Sequence, residues 1–242
     1  MLRSVTPEVL DDLAPDDPRA CRSRRDLQRV HRAMRSVSIL RQAIARLSGV
    51  RSPRRIIELG AGDGTLLLRL AAAIRPAWPA VELTLLDRVD IVSADTLAGY
   101  ARLGWDVRVL PQDVWRWAEA ADTARYDLGI SSLFLHHFDP PQVTLLLAAV
   151  ARRTAAFVSC EPRRSVLAWM GSRLIGLLGV NEVTRGDAVK SVLAGFAGQE
   201  LSASWPEPRA AWHIDERIAW PFTHCFTADL ASARPGKVRH AS

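Results

Sequence analysis

"RRIIELGAGDGTLLLRLAAAI", residues 54–74, decides the fold. An apolar run ends at Gly60, glycines recur at every second position to Gly64, and a helical pattern follows over 65–75. A strand that turns straight into a helix through glycines brings bare backbone amides to the carboxyl edge of a sheet. Open α/β sheets bind their ligands at that edge. Glycine permits positive φ and removes the Cβ that would collide with a ligand lying on the turn. A dinucleotide fingerprint, Gly-x-Gly-x-x-Gly, would place its last glycine at position 65, where Thr65 stands. The spacing here is Gly60-x-Gly62-x-Gly64, with Glu58 two residues ahead of it.

Outward from that turn, strands and helices alternate. "VELTLLD" (81–87), "DVRVLPQDV" (106–114), "YDLGISSLFLHHF" (126–138, a strand running into a loop) and "AAFVSCEP" (155–162) read as further strands. Helices are expected over 91–103, 115–122 and 140–152, with Pro76 and Pro79 closing the one before the second strand. This rhythm predicts a Rossmann-like α/β fold, a doubly wound, mainly parallel sheet with right-handed crossovers. Residues 1–20 are acidic and proline-punctuated and read as irregular. Residues 23–47 carry Leu27, Val30, Met34, Val37, Leu40, Ile44 and Leu47 at helical steps, with a break expected near Ser36–Ser38 and an end at Gly49 and Pro53. After the fifth strand, 163–200 reads as a helical cap, with a capping box from Thr184 to Asp187. Two extended segments around Pro221 predict a closing antiparallel pair, and 231–242 a frayed tail. The expected division is an N-terminal helical segment (1–50), a core (51–162), the cap (163–200) and the final strands and tail (201–242), all in one domain.

Composition narrows the functional classes. The chain has 242 residues, 48% hydrophobic and 24% charged, an ordinary globular balance for one large α/β domain. The formal charge is +6, but only two of the 32 basic residues are lysines (Lys190 and Lys237). The arginines are scattered among 26 acidic residues, which reads as coding bias and not as a nucleic-acid patch. Cys21, Cys160 and Cys225 are odd in number and far apart, without zinc spacing, so no metal site is expected. No secretory signal or membrane-length apolar run stands out, and the expectation is a soluble, reduced, cytoplasmic protein.

"ELGAGDG" (58–64) resembles motif I of the class I S-adenosylmethionine-dependent methyltransferases, an acidic residue, one spacer, then Gly-x-Gly-x-Gly. The resemblance runs from about 50 to 162, and it implies that 51–162 is the cofactor-binding core, that the N-terminal helical segment (1–50) covers the cofactor site and that 163–200 caps it. Asp87 ends the second strand, where the family binds the ribose hydroxyls; Asp113, in "PQDV", matches the acidic residue for the adenine amine, with Val114 beside it. "ISSLFLHHF" falls where the family places residues near the transferred methyl. The resemblance therefore implies S-adenosylmethionine as cofactor, S-adenosylhomocysteine as product, and cofactor contacts from Glu58, Gly60, Ala61, Gly62, Gly64, Asp87, Arg88, Asp113, Val114 and Ser131.

The residues at the end of the fourth strand narrow the acceptor. Family members that methylate exocyclic amines carry Asn/Asp-Pro-Pro-aromatic there; this chain has Ser131-Ser132-Leu133-Phe134, then His136-His137. A neutral imidazole can take a proton from a hydroxyl as the methyl arrives. "LHH" resembles the small-molecule branch, including quinone and natural-product O-methyltransferases. His136 and His137 are the candidate bases, at most one expected to point inward, with a lean to His136. Glu161, ending the fifth strand, is expected to orient a histidine or the substrate. Trp169, Met170, Leu174, Ile175, Leu177 and Leu178 would give the cap an apolar face suited to an aromatic or lipidic acceptor. "RSRRDL" (22–27) sets basic residues near the expected entrance. The leading expectation is O-methylation of a small phenol, quinol or polyketide; the alternatives are an RNA- or DNA-modifying methyltransferase and a non-catalytic cofactor-binding partner.

Overall fold

The apolar runs become the interior of one seven-stranded sheet. The computed structural model describes residues 1–231 apart from 49, 75–76, 121–123 and 220. In chain order the elements are α1 (Val9–Asp12), α2 (Pro18–Ala33), α3 (Ser36–Ile44), β1 (Arg55–Leu59), α4 (Thr65–Ile74), β2 (Glu82–Asp87), α5 (Ala94–Arg102), β3 (Asp106–Pro111), α6 (Val114–Glu119) and β4 (Leu128–Ser132). A 3₁₀ turn (Leu135–His137) leads into α7 (Pro140–Arg153) and β5 (Ala156–Pro162). Then come α8 (Val166–Leu174), a 3₁₀ turn (Ile175–Leu178), α9 (Glu182–Ala194), α10 (Glu200–Ser204), β6 (Trp212–Ala219) and β7 (Thr223–Leu230).

The strand order is β3-β2-β1-β4-β5-β7-β6. The first five strands are mutually parallel, while β7 runs antiparallel to both β5 and β6, so the expected closing pair is present. All five parallel strands therefore end at one edge. The order reverses between β1 and β4, which places the switch point, and the default ligand crevice, beside Gly60 and Leu133.

Alternating side chains feed two cores. Ile56, Leu83, Leu85, Ile130 and Val158 face the layer containing α3, α4 and α5. Ile57, Leu59, Leu86, Phe157 and Phe226 face the layer containing α6, α7 and α10. Each such side chain, fully buried, stabilises by about 1.5–3 kcal/mol. Strands β4 and β5 are buried at every position, as expected of parallel strands covered on both faces.

Several expectations shift. Helix α2 begins at Pro18, capped by Asp17, because proline suits the first helical position. The break between α2 and α3 falls at Arg35, whose φ is 57°, just ahead of the serines. Strand β3 stops at Pro111, and residues 9–12, expected to be irregular, form a single helical turn. The capping box at Thr184 is absent: Asn181 caps α9 by accepting from the Thr184 N–H. Asp187 instead reaches out of the helix to the Val9 and Leu10 N–H groups. Gly49, Pro76 and the tail from 232 onward lie outside the described residues.

Candidate active site

The glycine turn leaves β1 with Gly60, Gly62 and Gly64 all at positive φ, 69°, 55° and 69°. A Cβ at Gly60 would run into the Phe134 ring, and one at Gly64 would press on Leu85. At Gly62 it would meet nothing within 4 Å, so the turn is open above that residue. The Gly60 and Ala61 N–H groups both donate to the Leu86 carbonyl, which ties the turn to β2.

Asp87 closes the crevice from β2. One carboxylate oxygen accepts from the Gly62 N–H at 2.8 Å and the other from Val89 N–H at 3.0 Å. Helix α5 is capped by Ser93, so Asp87 is free of that duty and faces the glycines. Glu58 lies beneath, 2% exposed, and burial, with Asp63 and Asp87 nearby, pushes its carboxyl well above the usual range. Its Oε2 has no hydrogen-bond partner among the described residues. A buried polar atom left unpaired costs about 1–3 kcal/mol, so this oxygen is placed to meet a donor.

Asp113 stands at the same edge, because the Gln112 N–H bonds the Asp87 carbonyl. It is exposed and caps α6 by accepting from Trp115 N–H, with Val114 buried beside it. Two further residues implied by the resemblance are engaged with protein partners. The Ser131 hydroxyl is fully buried and donates to Ser159 inside the sheet. Arg88 is exposed and donates to the Asp11 carbonyl.

On the far side of the crevice, β4 ends in a strained step, with Leu133 at φ 53°. The 3₁₀ turn after it is organised by Glu161 from β5. That carboxylate is wholly buried and accepts from the Phe134, Leu135 and His136 N–H groups, from Ser159 Oγ at 3.0 Å and from His136 Nδ1 at 2.9 Å. Burial raises its pKa, but the His136 hydrogen bond and the backbone donors outweigh this and hold it ionised.

Both histidine rings turn to one side, with centroids 4.3 Å apart, although only one was expected to point inward. They meet the N-terminal segment, in which the sequence reading singled out no residue. His136 Nε2 is 3.4 Å from Glu8, and His137 Nδ1 is 3.2 Å from Asp11. Burial favours neutral His136, but hydrogen bonds to Glu161 and Glu8 outweigh it and push the pKa up to about 9. In this arrangement His136 is an imidazolium held between two carboxylates.

The strap that delivers Glu8 is tethered by polar contacts and buries nothing along α1. Arg3 Nη2 donates to the Phe138 carbonyl at 2.8 Å, Lys190 Nζ to Pro7 at 2.8 Å, and Ser191 Oγ to Glu8. Such a segment belongs to the low-stability end of a fold. Its signal in the sequence was only an acidic stretch without periodicity. The cap also differs from expectation: Met170, Leu174, Leu177 and Leu178 face solvent and not the crevice.

No family model and no curated protein matches the sequence. Solved structures do resemble it. An O-methyltransferase family protein from Burkholderia thailandensis is similar over 90% of this chain and 61% of its own, at 15% identity and TM-score 0.59. The S-adenosylmethionine-dependent methyltransferase SibL is similar over 94% and 63%, at 16% identity and TM-score 0.58. The fold is that of the S-adenosylmethionine-dependent methyltransferases. A magnesium protoporphyrin IX methyltransferase from Synechocystis, with the cofactor bound, is similar over 92% of this chain and 88% of its own, at 11% identity and TM-score 0.51. This chain spans about three fifths of the length of the first two structures.

Proposed function

We propose that this chain is an S-adenosylmethionine-dependent methyltransferase that methylates a hydroxyl of a small apolar or aromatic metabolite such as a phenol or quinol. The observation that carries the reading is the crevice itself. An open glycine turn, with Asp87 and the unpaired Glu58 oxygen, stands across from a buried Glu161–His136 pair. The fold shared with S-adenosylmethionine-dependent methyltransferases supports the same cofactor.

The residues present fit that group. Asp87 offers acceptors to vicinal hydroxyls, Glu58 an unpaired carboxyl oxygen to a donor, and Asp113 an exposed carboxylate to an amine. The cofactor would supply an electrophilic sulfonium methyl for an acceptor oxygen, with the thioether S-adenosylhomocysteine as the leaving group. Glu161 holds the proton on His136 Nδ1 and so leaves Nε2 as the basic nitrogen. In this arrangement Nε2 carries a proton toward Glu8, so Glu8 must move away and the Nε2 proton leave before an acceptor hydroxyl beside Nε2 can give its own proton to His136. Phe134, Phe138 and Trp115 form an edge-to-face cluster beside the turn, which suits a planar acceptor or base.

Transfer of labelled methyl from the cofactor to a panel of phenols and hydroquinones tests the reading. The expected result is turnover that falls at least about 10²-fold in His136→Ala, the usual worth of a positioned base. His137→Ala should matter little. Turnover in both variants close to wild type would remove the histidine base, and no transfer to any acceptor would favour a cofactor-binding partner without catalysis.

A further inference from the structure

Helix α8 is amphipathic with its larger apolar side chains outward. It turns Ala168 and Ser172 to the protein, and Val166, Leu167, Met170 and Leu174 to solvent. The 3₁₀ turn continues the stripe with Leu177, 85% exposed, and Leu178. These six make up half of the large apolar side chains exposed among the described residues; the other six are dispersed along the chain. A contiguous apolar patch of this kind marks an interaction surface.

The patch is bordered by arginines. Arg173 lies over the Trp169 ring at 4.8 Å, Arg185 packs along Gly176, and Arg29 donates to the Gly179 carbonyl at 3.3 Å. Arg29 belongs to α2, where Arg22, Arg25, Arg29 and Arg32 recur at three- and four-residue steps and are all exposed, so they share one face. Helix α2 is pinned beside the patch: Asp26 accepts from Asn181 N–H at 2.8 Å, and Ser23 bonds Thr184 at 2.8 Å. Of the acids here, buried Asp26 pairs with Arg29 at 3.1 Å and Glu182 with Arg185 at 3.7 Å, which leaves Arg22, Arg25 and Arg32 of the α2 face without a carboxylate partner among the described residues.

An apolar face beside a basic stripe fits an anionic lipid surface. Leucines enter the acyl boundary while guanidinium groups meet the headgroup phosphates. A second copy of the chain fits less well, because it would bring two arginine borders together.

We propose that the outward face of α8 and its 3₁₀ turn, with the arginine face of α2, docks this protein on an anionic bilayer. The attachment is peripheral: no helix among the described residues is long and apolar enough to cross a membrane. Helix α8 begins a few residues after Glu161, so docking holds the crevice close to the lipid. The nature of the acceptor then rests on the methyl-transfer reading as well: it is an apolar compound dissolved in the bilayer.

Flotation of the full chain with phosphatidylcholine vesicles, with and without phosphatidylglycerol, tests the docking. The wild type should float with the anionic vesicles. Leu174→Glu/Leu177→Glu should bind at least about tenfold more weakly, and Arg22→Ala/Arg25→Ala about fivefold more weakly per arginine. Both variants should keep the wild-type affinity for S-adenosylhomocysteine in calorimetry, a readout that judges the methyltransferase reading separately. The docking is overturned if the wild type does not float, if the leucine variant floats as well, or if both vesicle types bind equally. It is equally overturned by a dimer in sedimentation that Leu177→Glu splits into monomers.

Discussion

Glu8→Gln removes one of the two carboxylates on the His136 ring while keeping the size of the side chain and its capacity to accept a hydrogen bond. His136 is raised from 6.5 to about 9, so the carboxylates outweigh burial by roughly 3 kcal/mol. Glu161 is the closer partner, at 2.9 Å and wholly buried; Glu8 is at 3.4 Å. With a third to a half of the net effect from Glu8, its neutralisation lowers the His136 pKa by about one unit. NMR titration of the His136 ring, assigned by its loss in His136→Gln, reads this directly and needs no acceptor. In a turnover assay the ionisation seen in kcat/KM, which reports the free enzyme, should move down in parallel. A His136 pKa unchanged in Glu8→Gln, or a wild-type value at or below 6.5, would refute the two-carboxylate clamp.

The same pair makes stability fall with alkalinity. Because the folded pKa of His136 lies above its unfolded value, its contribution is fully present below pH 6.5 and is lost as pH rises through 9. Unfolding free energies from urea titrations should drop between those limits by up to about 3 kcal/mol, and a flat profile would contradict the assignment. Glu8 and Glu161 are depressed below 4.5, so their contributions are present above that pH and are lost as pH falls through their folded values. Gly60→Ala should destabilise by about 2 kcal/mol or more, since it combines left-handed strain with a clash against Phe134. Gly186→Ala, within α9 and with open space at its Cβ, should be neutral or stabilising by up to about 1 kcal/mol in the same melts. Glu8, His136 and His137 bring metal-donor atoms within 4.8 Å of one another, yet His136 already holds its protons between carboxylates. Chelation with EDTA should leave turnover unchanged; a loss restored by a divalent ion would reassign the cluster to a metal.

What was legible in the sequence is what the backbone forces. The three glycines were readable because a tight strand-to-helix turn at positive φ admits few other residues, while Asp87 was implied by the resemblance. The parallel sheet and its closing antiparallel pair followed from alternation and from the extended segments around Pro221, but the strand order did not. Glu161 was expected to orient a histidine or the substrate; that it pairs with His136 depends on β4 and β5 standing in register, with Ser132 opposite Cys160. Glu8 itself was not readable, because it reaches the site through tethers to Lys190 and Ser191 in α9, far along the chain. Periodicity found the apolar stripe at 166–178 but not its direction. That was set by Ala168 and Ser172, whose small side chains let α8 pack closely with its larger residues outward. Asp187, likewise, looked like half of a capping box because its spacing from Thr184 is right; in space its carboxylate anchors α1.

The central claim is that the crevice between the glycine turn and Glu161 holds S-adenosylmethionine, and calorimetric titration with S-adenosylhomocysteine tests it most directly. Saturable one-to-one binding by the wild type is expected. Asp87→Ala should bind more weakly by one to two decades, about the 1.5–3 kcal/mol expected for hydrogen bonds to a charged group, with the fold intact by circular dichroism. No binding by the folded wild type, full affinity in Asp87→Ala, or tight binding of NAD in place of S-adenosylhomocysteine would contradict it.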